Sequence, residues 1–148
     1  RRIITSLDLD SAKQEQPTHH LQSKYRQMEE EEVRFEKFNC EDADYAMVAY
    51  GSSARICQKA VELAKEKGLK VGLLRPITLF PFPKKQIEEM TKKVKGILSV
   101  EMSAGQMVED VRLAANGKAK VEHFGRYGGI VPTPEEVLEA LEQKVISA

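Results

Sequence analysis

Two polar side chains stand where a buried strand is expected to pass into a helix. In Val100–Arg112 (V-E-M-S-A-G-Q-M-V-E-D-V-R), Glu101 follows the apolar strand and Gln106 opens the helix. This is the carboxyl edge of a parallel sheet, where α/β domains place functional or partner-facing groups. Glu101 has no second acid close in sequence for a general acid–base pair. The pattern predicts an interface or hydrogen-bonding role for both residues.

Arg75 and Arg126 are the cations expected near the same edge, because each lies where a strand or loop reaches it. A guanidinium beside prolines and aromatic residues suits a carboxylate held across a subunit boundary. An internal ion pair with Glu101 or Asp110 explains the two arginines equally well. Both interpretations stay open.

The turn Gly51-Ser52-Ser53 joins a predicted strand to a predicted helix. Its free amides and two hydroxyls could hold a phosphate or carboxylate. No second and third glycine follow, so a dinucleotide fingerprint is absent. An N-cap role for Ser52 or Ser53 is the favoured interpretation, and an anion site is the alternative.

The histidines and cysteines do not form a recognisable metal motif. His19 and His20 are adjacent, so they point to different sides of a helix, and His123 lies alone in a predicted strand. Cys40 and Cys57 are too few for an iron–sulfur cluster or a four-thiolate zinc site. We expect reduced thiols, with Cys57 in the core, and we assign no catalytic, cofactor-binding or metal-binding residue.

The loop Leu79-Phe80-Pro81-Phe82-Pro83 is the most conspicuous apolar feature. Folded back, it would cap the core; exposed, it would form a patch for a partner subunit. We favour a partner contact through Phe80, because prolines pre-order the loop and reduce the entropy lost on docking.

Composition limits the class of protein. The 148 residues carry 23 basic and 23 acidic side chains, which argues against nucleic acid or an anionic membrane as partner. No apolar run approaches the roughly 20 residues of a membrane span, and no secretory signal is present, so we expect a cytoplasmic protein. The chain does not begin with Met, and we expect it to be a piece of a longer one.

Strands and helices alternate along most of the chain, which predicts a mostly parallel sheet covered on both faces. Residues 1–42 are expected to be a linker with a helix and an edge strand, and residues 43–148 to be the compact domain. Pro17 is taken as the boundary before the first helix. The predicted elements are the helices Thr18–Glu32, Ala54–Lys67, Lys84–Lys95, Gln106–Ala115 and one starting at Thr133, and the strands Tyr45–Tyr50, Lys70–Arg75, Gly96–Val100 and Lys120–Phe124.

Three long motifs carry a family resemblance. Gly68–Pro83 (G-L-K-V-G-L-L-R-P-I-T-L-F-P-F-P), Val100–Arg112 and Gly125–Val137 (G-R-Y-G-G-I-V-P-T-P-E-E-V) resemble the carboxy-terminal domain of the α subunit of 2-oxoacid:ferredoxin oxidoreductases. The leader segment Pro17–Tyr25 (P-T-H-H-L-Q-S-K-Y) is similar to the connecting segment of the 2-oxoisovalerate branch.

The resemblance implies a transketolase C-terminal-like fold, a three-layer α/β/α sandwich with an antiparallel edge strand, for which Val33–Phe38 is the candidate. It implies an oligomeric enzyme that uses thiamine pyrophosphate and Mg²⁺ to decarboxylate a 2-oxoacid. The acyl group passes to coenzyme A, and electrons pass through iron–sulfur clusters to ferredoxin. These cofactors are expected in other domains or subunits, so the fragment alone should be inactive. The expected interface residues are Arg75, Phe80, Glu101, Gln106 and Arg126.

A second hypothesis is an independent anion- or nucleotide-binding α/β module that uses Gly51, Ser52, Ser53 and Arg126. Occupancy at the Ser52 turn would distinguish it from the assembly domain.

Overall fold

A five-stranded sheet crosses the centre of the molecule, and helices cover both of its faces. The computed structural model describes residues 7–147, so the first six residues of the predicted linker and the last residue of the predicted domain lie outside it. The elements are α1 Ser11–Glu31, β1 Phe35–Phe38, β2 Tyr45–Ala49, α2 Gly51–Glu66, β3 Val71–Pro76, α3 Lys84–Met90, β4 Gly96–Glu101, α4 Met107–Ala115, β5 Lys120–Gly125, α5 Pro134–Leu141 and a π-helical segment Glu142–Ile146.

The strand order is β1-β3-β2-β4-β5, with β2 in the centre. β2, β3, β4 and β5 are parallel, and β1 pairs antiparallel with β3, with Phe35 opposite Pro76 and Phe38 opposite Leu73. The predicted sandwich with an antiparallel edge strand is therefore confirmed. The division at residue 43 stays a prediction, although β1, on the leader side, is hydrogen-bonded into the sheet.

Alternate residues of the central strands supply the cores on the two faces of the sheet, because successive side chains of a strand point to opposite faces. One core packs Met47, Leu73 and Leu98 against α2 and α5. The other packs Val48, Leu74 and Ile97 against α3 and α4. The strands are buried on both faces, which explains their continuous apolar sequences. Cys57 is fully buried in the first core, as predicted.

The first helix differs from the prediction. α1 begins at Ser11, and Pro17 lies inside it instead of marking its boundary. The reason is a local cap, since the Asp10 side chain accepts hydrogen bonds from the amides of Ala12 and Lys13. No residue of α1 is buried, so the helix lies on the surface.

Other element ends moved by a few residues. α2 starts at Gly51, α3 ends at Met90, and β4 includes Glu101. The start of α5 is as predicted: Thr133 Oγ1 accepts from the Glu136 amide at 3.2 Å, and Glu136 Oε2 accepts from the Thr133 amide at 2.9 Å. Within residues 7–147, no helix has the length and apolar character needed to span a membrane.

Candidate functional site at the carboxyl edge of the sheet

Glu101 is the last residue of β4 and has no exposed surface. Its carboxylate turns back under the loop that follows. Oε2 accepts hydrogen bonds from Ser103 Oγ at 2.8 Å and from the amides of Gln106 and Met107, each at 3.0 Å. Oε1 accepts from the Val108 amide at 3.0 Å. One buried side chain thus satisfies the free amides at the start of α4 and fixes the loop between strand and helix.

The electrostatics of Glu101 follow from these contacts. Burial raises the pKa of a carboxyl group, because it disfavours the charged form. The hydrogen bonds from Gln106, Ser103, Met107 and Val108 together outweigh burial, and the pKa of Glu101 lies below its ordinary value. Glu101 is therefore an anion with a structural use at neutral pH.

β5, the strand next to β4, packs directly against the loop that contains Ser103. A Cβ placed on Gly125 would lie 2.3 Å from the Ser103 carbonyl oxygen and 2.7 Å from His123 Cε1. Only glycine fits this approach between β5 and the loop after β4. His123 Nε2 lies 3.7 Å from Glu101 Oε1 and is buried without a hydrogen-bond partner. Loop, glycine and imidazole therefore form one packed unit with Glu101.

The predicted direct contact of Glu101 with a partner is wrong, because its side chain has no accessible surface. Internal hydrogen bonding, the other role considered for it, is what the structure shows. Gln106 is exposed and is the N-cap residue of α4, and its backbone amide bonds Glu101. Its side chain stays an interface candidate.

Both arginines pair with carboxylates other than those considered. Arg75 Nη1 lies 2.9 Å from Glu36 Oε2, across the β1–β3 pair. Arg126 Nη1 lies 3.6 Å from Glu136 Oε1, at the start of α5. The proposed internal pairs with Glu101 or Asp110 are therefore wrong, because the nearer carboxylates come from β1 and α5.

These arginines are not fully used inside the chain. Each side chain is more than a third exposed, while its Nε is buried without a hydrogen-bond partner. The role of Arg75 and Arg126 at an interface stays a prediction.

Three loops at this edge expose large apolar side chains, which we call the apolar rim. Phe80 is 58% exposed, whereas Phe82 of the same loop is buried. The loop after β3 thus does both things considered for it: the Phe82 ring caps the core, and the Phe80 ring stays half-exposed with its contact edge-to-face against Tyr25 of α1. The rim consists of Ile77, Leu79 and Phe80 after β3, Met102 after β4, and Tyr127, Ile130 and Val131 after β5.

The Gly51–Ser53 turn is already the first turn of α2. Tyr50 is the N-cap residue and no side chain caps the helix, so the predicted serine N-cap is wrong. Ser53 faces inward and is buried, because the helix starts three residues earlier than expected. Gly51 and Ser52 are exposed, and an anion site there is untested.

Two cavities open on the described surface, and the smaller one is lined in part by the rim residues Leu79 and Phe80. The larger, about 680 Å³, lies at the amino edge of the sheet among lysines and acids, including Lys70 and Asp42. The smaller, about 390 Å³, lies beside the rim between the end of α1, Phe80 and the start of α3. Among residues 7–147, no three His, Cys, Asp or Glu side chains are grouped as metal ligands.

Sequence reasoning missed Ser103, His123 and Gly125 as the surroundings of Glu101, and Ile77, Met102, Tyr127, Ile130 and Val131 as rim residues. The signal for the rim was present: glycines and a proline interrupt the apolar residues of Gly125–Pro132, so no strand could bury them. No signal existed for the close approach at Gly125, which depends on the pairing of β4 with β5.

A comparison with protein families decides the assignment. Residues 43–137 match the family described as pyruvate:ferredoxin oxidoreductase core domain II. The chain belongs to this family. The resemblance to 2-oxoacid:ferredoxin oxidoreductases drawn from the three motifs is thereby confirmed.

The chain is similar to subunits of a ketoisovalerate oxidoreductase and of a 2-oxoglutarate synthase. Over 97% of the chain, 46% of residues are identical to ketoisovalerate oxidoreductase subunit VorB of Methanothermobacter thermautotrophicus, and 43% to the VorB subunit of Methanothermobacter marburgensis. The match to 2-oxoglutarate synthase subunit KorA of M. marburgensis is 35% over 68% of the chain. The chain spans 40% of the length of each VorB relative and 27% of KorA.

Solved structures share the fold of core domain II. A 2-oxoglutarate:ferredoxin oxidoreductase from Magnetococcus marinus superposes with a TM-score of 0.66 at 24% identity, covering 76% of this chain and 20% of that one. The α chain of a probable 2-oxoacid ferredoxin oxidoreductase from Thermoplasma acidophilum superposes with a TM-score of 0.50 at 20% identity, covering 77% of this chain and 98% of that one. At these identities the likeness establishes the fold.

Proposed function

We propose that this chain is the C-terminal assembly domain of a 2-oxoacid:ferredoxin oxidoreductase α subunit, and that the intact enzyme acts on 2-oxoisovalerate. The higher identity and wider coverage of the ketoisovalerate relatives, compared with the 2-oxoglutarate relative, support this substrate. The intact enzyme would decarboxylate the 2-oxoacid, transfer the acyl group to coenzyme A and pass two electrons to ferredoxin. We place it in the cytoplasm as a complex of several subunits.

One observation carries the role of the domain within that enzyme. Glu101, the acid at the carboxyl edge, gives both oxygens to donors of its own chain and faces no pocket. A general acid or base needs access to a reacting atom, which this carboxylate lacks. Glu101 therefore stabilises the loop surface at the carboxyl edge, and the bond-breaking steps belong to other parts of the enzyme.

The described residues do not fit the enzyme's cofactors. A Mg²⁺–diphosphate site needs oxygen ligands that converge on one point, and within residues 7–147 no three His, Cys, Asp or Glu side chains are placed to hold a metal ion. Cys40 and Cys57 are too few for a cluster, and Cys57 is fully buried. We therefore assign no step of the reaction to residues of this chain. Thiamine pyrophosphate, Mg²⁺ and the iron–sulfur clusters are placed elsewhere in the complex.

The whole-enzyme proposal is tested by purifying the native complex that contains this chain. Reduction of ferredoxin or a viologen dye should require coenzyme A, and 2-oxoisovalerate should be the preferred substrate. The matched control is 2-oxoglutarate at the same concentration. Preference for 2-oxoglutarate would contradict the substrate assignment, and no coenzyme A-dependent reduction with any 2-oxoacid would contradict the function.

The role of the domain has its own test. Titration of the 148-residue chain with thiamine pyrophosphate and Mg²⁺ in a calorimeter should give no binding heat, while the intact complex binds. Micromolar binding to the chain alone would contradict an assembly role. The same titration with inorganic phosphate tests the anion-binding alternative, which the burial of Ser53 and the pairing of Arg126 with Glu136 do not favour.

A further inference from the structure

We infer that the apolar rim, together with Arg75 and Arg126, is the interface through which this domain packs onto the rest of its own longer subunit. The inference rests on the proposed function, because that function supplies the longer subunit. Beyond that function, it specifies which surface of the domain makes the contact, which protein segment covers that surface and which chemical groups meet there.

The exposure of the rim is the first support. Its seven large apolar side chains are each between 44% and 58% exposed, and all come from loops that follow β3, β4 and β5. Since the carboxyl ends of parallel strands meet at one edge, the seven side chains share one end of the molecule. Part of this end is already covered, because the Phe80 ring packs edge-to-face against Tyr25 of α1, and the remaining exposed apolar side chains suit a further protein surface.

The rigidity of the middle loop is the second support. Glu101 ties Ser103 and the first turn of α4 together, and Gly125 lets the loop lie directly against β5. Met102 is presented on this fixed turn. A loop already ordered in the free state loses little entropy on docking, which favours a permanent contact surface.

The two arginines indicate the polar part of the contact. Arg75 ends β3 and Arg126 follows β5, three strand spacings or about 14 Å apart, so they flank the rim. Arg75 Nη1 donates one hydrogen bond to Glu36, whereas Arg126 lies 3.6 Å from Glu136, beyond hydrogen-bond distance, so each guanidinium keeps Nη donors for a further acceptor. The matching surface should therefore be apolar in its centre, with carboxylate or carbonyl oxygens opposite each arginine.

The length of the ketoisovalerate relatives indicates which protein segment covers the rim. The chain matches 40% of each ketoisovalerate relative, so 60% of those subunits lies outside the match. A covalently joined segment meets the rim at a high effective concentration, whatever else is in solution. We therefore assign the rim to that segment in preference to a second copy of this chain.

Cysteine accessibility in the intact complex tests the inference. Met102→Cys and Ile130→Cys place thiols on the rim, and Leu113→Cys is the matched control, since Leu113 is 68% exposed on α4, away from the rim loops. Each complex is labelled with a neutral maleimide and digested, and labelling is followed by peptide mass spectrometry. The rim thiols should react at least about tenfold more slowly than the control thiol.

Equal labelling of the rim and control thiols would overturn the inference. A bis-maleimide cross-link between two Ile130→Cys thiols would also overturn it, because it would identify a second copy on the rim. Should the variants fail to assemble, hydrogen exchange of the unsubstituted complex decides. Amides of residues 126–131 should then exchange more slowly in the complex than in the isolated 148-residue chain, and equal exchange in the two would refute the contact.

The readout is independent of turnover. Protection of the rim in a complex that prefers another 2-oxoacid would refute the proposed substrate and leave the interface standing. An active 2-oxoisovalerate enzyme whose rim thiols react freely would support the proposed substrate and refute the interface.

Discussion

At the scale of single residues, Glu101 shows why a carboxylate at a sheet edge need not be a reactive group. Its location at the carboxyl edge followed from the pattern of strand and helix. Its burial did not, because a side chain at the end of a strand can point outward or fold back, and the path of residues 102–106 decides between the two. Arg75 and Arg126 were equally ambiguous: their location was predicted, but their partners come from elements distant in sequence.

Replacing Glu101 with Gln tests the internal cap. The amide nitrogen of Gln would face backbone N–H donors, so one carboxylate oxygen is lost as an acceptor and buried donors are left unpaired. We expect the free energy of unfolding to fall by about 2 kcal/mol. Urea unfolding measures the change. Glu109→Gln, an exposed acid in the first turn of α4, is the control and should change stability by less than about 0.5 kcal/mol.

The pH dependence of Glu101 has a definite sign. Since its pKa is lowered in the folded chain, the carboxylate adds stability above its ordinary pKa, and that stability is lost as the pH falls through the folded value. The difference between the unsubstituted chain and Glu101→Gln should be full at pH 7 and shrink as the pH falls below the ordinary carboxyl pKa towards the lower folded value. Unfolding curves recorded from pH 7 to pH 3 provide the measurement. A difference that grows on acidification would contradict the assignment.

Gly125→Ala should be among the costlier small changes in the chain. The added Cβ would meet the Ser103 carbonyl at 2.3 Å, and a backbone atom cannot swing away. We expect a loss of about 3 kcal/mol from steric strain. The control is Gly128→Ala, where no atom lies within 4 Å and the positive φ costs about 1 kcal/mol. Equal losses in chemical denaturation would show that the close approach is not maintained in solution.

At the scale of elements, local signals predicted some helix ends and misplaced others. Thr133, Pro134 and Glu136 lie within four residues, so the start of α5 could be predicted from sequence. The start of α1 could not be predicted in this way. Asp10 and Pro17 are both helix-start signals, and the sequence does not show which of them is stronger. The serines after β2 misled for a related reason: a helix can begin without a side-chain cap when its inner face packs on a core.

Pro17→Ala tests how loosely α1 is coupled to the rest of the chain. Proline removes a hydrogen bond from the helix interior and is about 3 kcal/mol worse than alanine there. We expect slower amide exchange in residues 12–28 and more helix by circular dichroism. The urea midpoint of the remainder should not move, because α1 has no buried residue.

Thr133→Ala is the contrasting case. It removes a cap from α5, whose Val137 and Leu141 are buried, so about 1 kcal/mol should be lost from global stability. Equal responses of the urea midpoint to this change and to Pro17→Ala would contradict the separation of α1 from the core.

At the scale of the whole molecule, alternation of apolar strands and amphipathic helices was enough to predict the architecture. The continuous apolar runs of β2 and β4 required burial on both faces, which only a three-layer arrangement provides. The order of the strands and the pairing partners of β1 and β5 were not derivable, because many parallel arrangements satisfy the same alternation. The contacts of Glu36 with Arg75 and of Gly125 with the Ser103 loop depend on that order.

Cys57 reports on the integrity of the whole fold. Burial raises the pKa of the Cys57 thiol to about 12, and the side chain has no exposed surface. Cys57 should react with iodoacetamide at pH 8 only when the molecule unfolds globally, since only the thiolate is nucleophilic. Cys40, which is partly exposed, should react first. A Cys40→Ser chain gives the clean rate, and labelling of Cys57 faster than global unfolding would show local opening of α2.

The strand order separates two directions in which the molecule could associate. The lateral borders of the sheet are β1, a short strand with Glu36 and Lys37 at its centre, and β5, which carries Lys120 and Glu122 on either side of Val121. Charged side chains on both border strands, and the shortness of β1, discourage the strand addition that drives aggregation. The apolar rim lies instead at the carboxyl ends of the strands, where another chain cannot extend the sheet by adding a strand. An apolar surface at the strand ends can thus be covered by another protein surface without extending the sheet.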